Sequence, residues 1–480
     1  MAGGTWVTQN KVRPGIYINF VNRAQLGTVG ERGVMTMALS LSWGAPKTVI
    51  TLNAGDDLKD VLGYDITAPQ MLLIREAFKR AQTVRLFRLN TGTKATATHG
   101  SLTATAKYGG LRGNDIKIVV QTNIDDSAKF DVKTLVSDVE VDLQTVANIA
   151  GLTSNAWVDF SGTGTLTTTA GVPLTNGADG SVANQDHSDY LAAIELHEFQ
   201  TMALPATDST LKSVYISFVK RLREDEGRKI QLVVENYPAA DYEGVISVKN
   251  GVKLADGTTI PAAQATVWVA AATAGAEMNE SLTYAAYNDA VDVDTRYSNS
   301  QIEAALKAGE FVFIPNNGRA VVEQDINTLT GFTPEKGKAF SKNRVIRVLD
   351  GIANDFKRIF ESFYIGKVNN NADGRNLFKK ECTGYLATLQ GVNAIQNFDV
   401  QTDVTVLPGN DTDAIVVNAA VQPVDSIEKV YMTVINAIQN FDVQTDVTVL
   451  PGNDTDAIVV NAAVQPVDSI EKVYMTVEVN

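Results

Sequence analysis

The chain has 480 residues, of which 44% are hydrophobic and 20% are charged. This composition excludes a disordered or fibrous protein, and the length predicts several domains. The formal net charge of −14 argues against sequence-independent binding of nucleic acid, because such binding needs clustered Lys and Arg to displace counterions. We recognise no export signal at the start and no apolar run long enough to span a membrane. We therefore expect synthesis and assembly in the cytoplasm, with no direct contact with a membrane.

The first ninety residues predict an extended arm followed by a β-α-β unit. After a Pro-Gly turn, a short alternating strand runs from Ile16 to Phe20. Strands at residues 33–43 and 83–89 enclose a helix. The start of that helix has the pattern of a capping box with an early proline, Thr67-Ala-Pro-Gln70.

The composition changes between residues 93 and 182, where Thr, Gly, Ala, Asn and Asp dominate and helical periodicity disappears. Short β-branched runs such as Ile116–Val120 alternate there with turns, which predicts an all-β insert domain. The α/β pattern then resumes with a helix over residues 211–222 and a capping box at Ser300–Glu303. Residues 345–364 predict a strongly amphipathic helix.

The last part of the chain predicts a helix and then strands. Asp373 is the expected N-cap of the helix. Strands at residues 414–421 and 428–434 flank a turn, which indicates a hairpin. The segment 393–434 is repeated without a single change as residues 436–477.

An unchanged repeat indicates a recent tandem duplication, a deliberate engineering step or an error in the sequence. A solenoid is the least favoured reading, because it needs about three repeats, which usually differ in sequence. A fold with one place for this hairpin cannot use both copies there. The second copy must therefore extend the sheet, reach a neighbouring subunit or stay unattached.

The patterns together predict an α+β multidomain fold, with mixed α/β core domains, an all-β insert and extended N- and C-terminal arms. The expected segments are 1–22 for the N-terminal arm, 23–92 for the first α/β part of the core, 93–182 for the insert, 183–365 for the α/β domain, and 366–480 for the C-terminal domain and its arm.

No catalytic, metal-binding or cofactor-binding pattern is recognisable. The three histidines, His99, His187 and His197, lack metal-ligand spacing. Gly331–Lys338 is similar to a phosphate-binding loop, but it has one residue too many between its glycines. The single cysteine, Cys382, lies on the apolar face of a predicted helix, where a core residue is more common than a nucleophile. The sequence thus predicts a protein that is not an enzyme. An α/β enzyme with a β-rich insert is the alternative from a different class.

Several segments carry a family resemblance in their order and spacing. They are Arg13–Phe20, Ala106–Asp115, Asn279–Tyr284 with Ser300–Gly309, Val322–Thr330 with Lys342–Asp350, and Val459–Val477. Together they resemble the tail sheath proteins of contractile phages and phage-tail-like bacteriocins. The unchanged repeat departs from that family, which ends with one such hairpin.

The resemblance implies a structural subunit that forms stacked hexameric rings around an inner tube and contracts to drive the tube through a cell envelope, without a cofactor. Its partners would be copies of itself, the tail tube protein, and the baseplate and tail terminator proteins, in the tail of a virion or similar particle. A sheath of a type VI-like or extracellular injection system is the alternative within this class.

In the family, arms at both chain ends complete a β-sheet in neighbouring subunits. The resemblance therefore implies strand exchange by alternating residues near both ends: Ile16, Tyr17, Ile18, Phe20, Val473, Met475, Val477 and Val479. A helix of the family's C-terminal domain faces the tube. By position this is the helix after Asp373, with Arg375, Lys379 and Lys380 as candidate tube contacts, and an ordinary solvated helix face is the alternative.

Overall fold

The structure, a computed structural model, describes residues 2–4, 15–17, 32–435, 447–451 and 457–463; up to residue 17 and from residue 431 onward, only the backbone is described. The chain forms two compact units, residues 1–30 with 355–422 and residues 31–354 with 423–480. The helices of the described part are Lys59–Leu62, Leu72–Phe78, Asn184–Ile194, Ser209–Glu224, Ala262–Gly275, Asn299–Lys307, Asn343–Phe363 and Ala372–Gly391. Of these, none has both the length and the apolar character needed to cross a membrane.

A seven-stranded sheet forms the centre of the larger unit. Its strands, in spatial order, are Glu310–Phe311, Val245–Val248, Gln231–Glu235, Thr201–Ala203, Val34–Leu39, Thr83–Arg88 and Val49–Asn53. Neighbours pair in parallel except for the last pair, which is antiparallel. The inner strands are buried almost throughout, as expected for a parallel sheet with helices on both faces.

Helices cover both faces of this sheet. Ala262–Gly275 packs on one face and shares a core with Met35 and Leu86. Its residues 265–274 are buried around the whole helix, because their side chains are small or apolar on every side. On the other face, Asn184–Ile194 and Ser209–Glu224 enclose a second core.

Two small antiparallel sheets belong to the same unit. One contains Val252–Leu254, Thr259–Ile260 and Ala290–Val293, and the other pairs Phe313–Asn316 with Arg319–Val322. Aromatic rings fill the core beside them. Trp268 stacks on Tyr287 with 4.5 Å between ring centroids, and Phe313 meets both rings edge-on.

The Thr- and Gly-rich part of the chain forms two antiparallel sheets. One has the strands Val139–Val146, Phe130–Val136, Ile116–Thr122 and Thr169–Pro173, and the other has Val158–Gly162, Leu102–Ala106 and Thr96–His99. Alternate residues of both sheets share one apolar core that includes Trp157. Trp43, which precedes this segment, stacks on Trp157 with 5.1 Å between ring centroids. The two sheets are therefore attached to the core by packing as well as by the chain.

The smaller unit contains the end of helix Asn343–Phe363, the helix Ala372–Gly391 and a hairpin. Phe360 of the first helix meets Phe378 of the second with 5.4 Å between ring centroids. The Tyr385 hydroxyl donates to Asp355 Oδ2 at 2.8 Å. Two further pairs of strands are short or lie near the ends: Ile395–Gln396 with Gln422–Pro423, and Ala2–Gly4 with Gly15–Tyr17.

The α+β multidomain fold predicted from the sequence is confirmed, and the long amphipathic helix begins and ends within two residues of its prediction. Three helix starts were placed wrongly. Ala68, without a side-chain cap, precedes the turn at Pro69. The second capping box is formed by Ser298 and Gln301, and not by Ser300 and Glu303. Asn371, whose Oδ1 accepts from the Gly374 amide, is the N-cap predicted at Asp373.

The partner of one predicted strand was also wrong. Ile415–Ala419 pairs with the preceding strand Val404–Pro408, and not with the strand after Pro423. Gly409 donates its amide to the Ala414 carbonyl at 2.8 Å and closes the loop between the two strands. Strand pairing depends on which turn closes, and alternation alone does not specify that.

Candidate assembly surfaces

The first hairpin consists of Val404–Pro408 and Ile415–Ala419, which pair antiparallel in continuous register. Val404 is buried, whereas the cross-strand neighbours Leu407 and Val416 are 51% and 47% exposed. Among the described residues, no further strand pairs with either edge of this sheet. A two-stranded sheet with open edges and an exposed apolar pair is a template for an added strand.

The second hairpin consists of Val447–Pro451 and Ala457–Ala463, and it repeats the sequence and the register of the first hairpin 43 residues later. Here a third strand is present. The linking strand, Lys429–Ile435, pairs in parallel with Ala457–Ala463 over all of its 7 residues. In this second copy, the repeated hairpin accepts an added strand on one edge.

The linking strand starts from a buried carboxylate, Glu428. Its Oε1 accepts a hydrogen bond from Thr283 Oγ1 at 2.7 Å, and its Oε2 accepts one from Gln324 Nε2 at 2.6 Å. The Lys342 ammonium also contacts Oε2, and the two charged side chains are only 7% and 6% exposed. A buried ion pair with its other hydrogen-bonding positions satisfied favours a single geometry. The point at which the linking strand leaves the core is thereby fixed, and we call this contact the Glu428 anchor.

The sequence-predicted strand-exchange residues lie mostly beyond the described part. Ile16 and Tyr17 belong to the strand Gly15–Tyr17, which pairs in parallel with Ala2–Gly4. The remaining members of the predicted set lie outside the described residues: Ile18, Phe20, Val473, Met475, Val477 and Val479. The pairing of Gly15–Tyr17 agrees with a strand there, but strand exchange stays a prediction.

The three candidate tube contacts lie on the helix Ala372–Gly391 but do not share one environment. Arg375 Nη1 donates to Asn370 Oδ1 at 2.9 Å, and Lys379 Nζ donates to the Gln401 carbonyl at 3.2 Å. Both side chains are half-buried, whereas Lys380 is exposed. Of the three, Lys380 is therefore the one presented most fully to solvent.

The exposed face of this helix is mostly small. It carries the following residues at helical spacing: Leu377, Lys380, Gly384, Ala387, Thr388 and Gly391. A Cβ added at Gly384 would meet no atom within 4 Å. No contact within the described chain therefore requires a glycine at this mid-helix position, where it is about 1 kcal/mol less favourable than alanine.

Packing accounts for two of the side chains considered as candidates for chemistry, His187 and Cys382. His187 Nδ1 lies 2.7 Å from the Tyr215 hydroxyl, and burial lowers the pKa of this histidine. Burial, with the nearby Glu381 carboxylate, raises the pKa of the Cys382 thiol to about 12, which opposes nucleophilic chemistry. Among the described residues, no group of His, Cys, Asp and Glu is arranged to hold a metal ion.

Sequence reasoning missed the Glu428 anchor. A single charged residue before a strand has the pattern of a solvated side chain, and its partners are 86 to 145 residues distant in sequence. The one available signal was Lys342, which lies at the start of a segment that carries the family resemblance.

Four family models together match nearly all of the chain from residue 32. They are the Gp18 domain III N-terminal region of tail sheath proteins at 32–89, the phage tail sheath β-sandwich domain at 90–179, the central domain at 180–328, and the C-terminal domain at 335–435 and again at 434–480. The second match of the C-terminal model coincides with the second copy of the repeat.

Curated relatives agree with these matches. The phage-like element PBSX protein XkdK of Bacillus subtilis is 40% identical over 464 residues, which cover 90% of this chain and 99% of that protein. A tail sheath protein of Clostridium phage phiCD119 is 31% identical over 216 residues, which cover 45% of this chain and 60% of that protein.

Solved structures extend the comparison. The sheath tail protein of Desulfitobacterium hafniense has a TM-score of 0.79 at 63% identity, covering 86% of this chain and 98% of that chain. The sheath tail protein of Listeria innocua has a TM-score of 0.76 at 41% identity, covering 84% of this chain and 94% of that chain. A chain of the anti-feeding prophage baseplate shares the fold, with a TM-score of 0.51 at 12% identity, covering 90% of this chain and 99% of that chain. The chain described here therefore belongs to the phage tail sheath protein family.

Proposed function

We propose that this chain polymerises as stacked hexameric rings around an inner tube and contracts to drive the tube through a cell envelope. Membership of the sheath family supports a structural role in a phage-like tail. The observation that carries the proposal is the parallel addition of the linking strand to the second hairpin. It indicates that the repeated hairpin has an edge suited to an added strand, which is the connection that a strand-linked lattice requires.

The edge of Ile415–Ala419 in the first hairpin corresponds to the occupied edge of the second, because both hairpins have one sequence and one register. We assign its partner to the terminal segment 472–478 of a neighbouring subunit, which repeats the first six residues of the linking strand. Val473, Met475 and Val477 would alternate along this donated strand. Val479 would follow it.

The N-terminal arm is the second proposed donor. Ile16, Tyr17, Ile18 and Phe20 are in an alternating segment near the chain end, where a strand can reach a neighbour. With both arms engaged, each subunit would be linked to its neighbours by backbone hydrogen bonds. Such bonds are independent of side-chain identity and can persist while subunits rotate.

The exposed face of the helix Ala372–Gly391 is the proposed tube contact. Gly384 supports this assignment, because a glycine without an intramolecular purpose suits close approach by another chain. Lys380 would supply charge at this contact, with Lys379 and Arg375 beside it. The partner surface would be the tail tube protein.

Contraction would be a change between two discrete packings of one fold, driven by energy stored at assembly and not by a nucleotide. The Glu428 anchor supports this mechanism, since it fixes the origin of the arm on each subunit. Baseplate and tail terminator proteins would bind the two ends of the stack. Assembly would take place in the cytoplasm of a host bacterium, and the product would be the tail of a phage-like particle.

Polymerisation of the purified protein, followed by light scattering and negative-stain electron microscopy, tests the proposal. We expect hollow tubes or stacked rings. An excess of a peptide with the sequence of residues 472–480 should slow their growth by occupying the open edge of the first hairpin. A peptide with the same residues in scrambled order is the matched control. A stable monomer or a small closed oligomer would contradict the proposal.

A further inference from the structure

We propose that the second hairpin is an intramolecular strand acceptor: it holds the linking strand of its own chain, so that, of the two copies of this strand sequence, the one at 472–478 is left to donate to a neighbour. This inference rests on the proposed function and concerns the same strand-exchange surface. The second copy of the hairpin would then form a three-stranded sheet with a strand of its own chain.

The ends of the strands make pairing within one chain easy. Ile435 lies opposite Ala463, and Val447 lies opposite Ala462, so the linking strand ends and the second hairpin begins at the same end of the sheet. The connection has to cross roughly 10 Å, which is two strand spacings. The residues between Ile435 and Val447 can extend over about 36 Å at the usual length per residue.

Closure within the chain also has a large concentration advantage. A strand joined to its acceptor by a short connection experiences an effective concentration on the order of millimolar. A strand from another subunit competes at the concentration of the free protein, which is far lower before assembly. The linking strand should therefore occupy the second hairpin before neighbours meet.

The first hairpin has no equivalent strand at the corresponding position before it in the chain. The residues 43 positions before the linking strand are 386–392, which form the end of the helix Ala372–Gly391 and its C-cap, Val392. A helix packed through the buried residues Leu386 and Leu389 cannot serve as the added strand. The two hairpins are identical in sequence, but only the second follows a strand that can fill it.

Duplication of the segment would therefore add one acceptor edge and one strand that fills it, and so would leave the number of edges and strands available to neighbours unchanged. On this proposal, each chain would offer one acceptor edge, on Ile415–Ala419, which has no partner strand among the described residues, and one C-terminal donor, at 472–478. The second hairpin and the linking strand pair with each other, so that this acceptor edge is occupied. A chain that lacks residues 435–477 would have the same balance, with the linking strand followed directly by Glu478 as its terminal donor.

Engineered disulfides test the pairing in the full-length protein. In a Cys382→Ala background, Thr433→Cys is combined with Asn461→Cys, which lies directly opposite in the parallel register. The control combines Thr433→Cys with Thr448→Cys, one strand further away, beyond the distance of about 7 Å that a disulfide can bridge. After oxidation of dilute protein, mass spectrometry and non-reducing electrophoresis identify the bonded cysteines.

We expect an intrachain disulfide in the first variant and none in the control. Disulfide-linked dimers, or no cross-link in either variant, would overturn the inference. The readout does not depend on assembly. An intrachain cross-link in a protein that never forms tubes would therefore reject the proposed function alone, and tubes linked by interchain disulfides would reject the inference alone.

Deletion of residues 435–477 provides a second measurement. The shortened chain should form tubes with a critical concentration within about twofold of that of the full chain, since the balance of donor and acceptor is unchanged. Loss of tubes, with circular dichroism retained, would mean that the second hairpin is itself needed in the lattice. That result would overturn the inference.

Discussion

At the scale of single residues, the contact between Glu428 and Lys342 connects the core to the arm. Neither residue has an obvious role in the sequence, because isolated charges are usually solvated. The structure buries both and surrounds the carboxylate with two further donors. Removal of one member of such a pair leaves the other charge buried without compensation.

We expect Glu428→Ala to lower the free energy of unfolding by about 3–5 kcal/mol, the usual cost of breaking a buried ion pair from one side. Urea denaturation followed by circular dichroism measures this change. Glu303→Ala is the matched control, because Glu303 pairs with Lys307 on an exposed helix surface and such pairs contribute little. Equal midpoints for the two variants would show that Glu428 does not anchor the arm.

Glu323 gives a prediction for pH dependence. Burial and the negative charge of Glu428 raise the pKa of the Glu323 carboxyl above its ordinary value of 4.5, and its Oε2 is buried without a hydrogen-bond partner. The folded state binds the proton of this carboxyl more tightly than the unfolded state does. The resulting contribution to stability is fully present below pH 4.5 and is lost as the pH rises through the folded-state pKa.

We therefore expect Glu323→Gln to raise the unfolding temperature at pH 8 and to have a smaller effect near pH 4.5. Thermal unfolding of both proteins across this range measures the difference. Glu303→Gln, at an exposed position, should follow the wild-type pH profile. A Glu323→Gln variant with the same pH profile as wild type would contradict the predicted shift.

At the scale of elements, the sequence was most informative where periodicity is long. The helix Asn343–Phe363 was predicted closely because its apolar positions recur over five turns. Helix Ala262–Gly275 was missed because it is apolar on every side and has no periodic face. The partner of Ile415–Ala419 was wrong because alternation predicts a strand but not its neighbour.

The candidate assembly surfaces likewise include features that the sequence predicted and features that it could not predict. Alternation near the chain ends and the basic residues after Asp373 could be read from the sequence. The difference in exposure among Arg375, Lys379 and Lys380 could not, because it depends on contacts with Asn370 before the helix and Gln401 after it. The Glu428 anchor and the pairing of the second hairpin likewise depend on residues distant in sequence.

The exposed face of the helix Ala372–Gly391 leads to a prediction about the tube. Gly384→Leu and Lys380→Glu should each reduce the fraction of sheath that retains its tube, by steric obstruction and by charge reversal respectively. Gly384→Ala, the matched control, should stabilise the free subunit by up to about 1 kcal/mol. Co-sedimentation of sheath with tube protein measures retention. Unchanged retention in both test variants would assign this face to another role.

At the scale of the whole molecule, the net charge of −14 opposes association between identical subunits. Salt shortens the range of this repulsion, with a Debye length of about 10 Å at 0.1 M and about 30 Å at 0.01 M. Backbone pairing between strands is far less sensitive to salt. Assembly should therefore be limited by charge repulsion at low ionic strength.

We expect the polymerisation rate to increase between 0.01 M and 0.1 M salt, with tubes of the same diameter at both concentrations. Light scattering gives the rate, and electron microscopy gives the diameter. A rate that falls with added salt would indicate that complementary charges, and not strand pairing, dominate the contacts between subunits.

The arrangement of the linking strand within the second hairpin also bears on how such a chain could grow. Each additional tandem copy would begin after a strand that can fill its acceptor edge, as Lys429–Ile435 fills the edge of Ala457–Ala463. The Glu428 anchor and the terminal segment 472–478 would remain the same, and only the number of three-stranded modules between them would change. The C-terminal arm could thus lengthen in whole steps, so that the spacing between connected subunits becomes a property that gene duplication can alter.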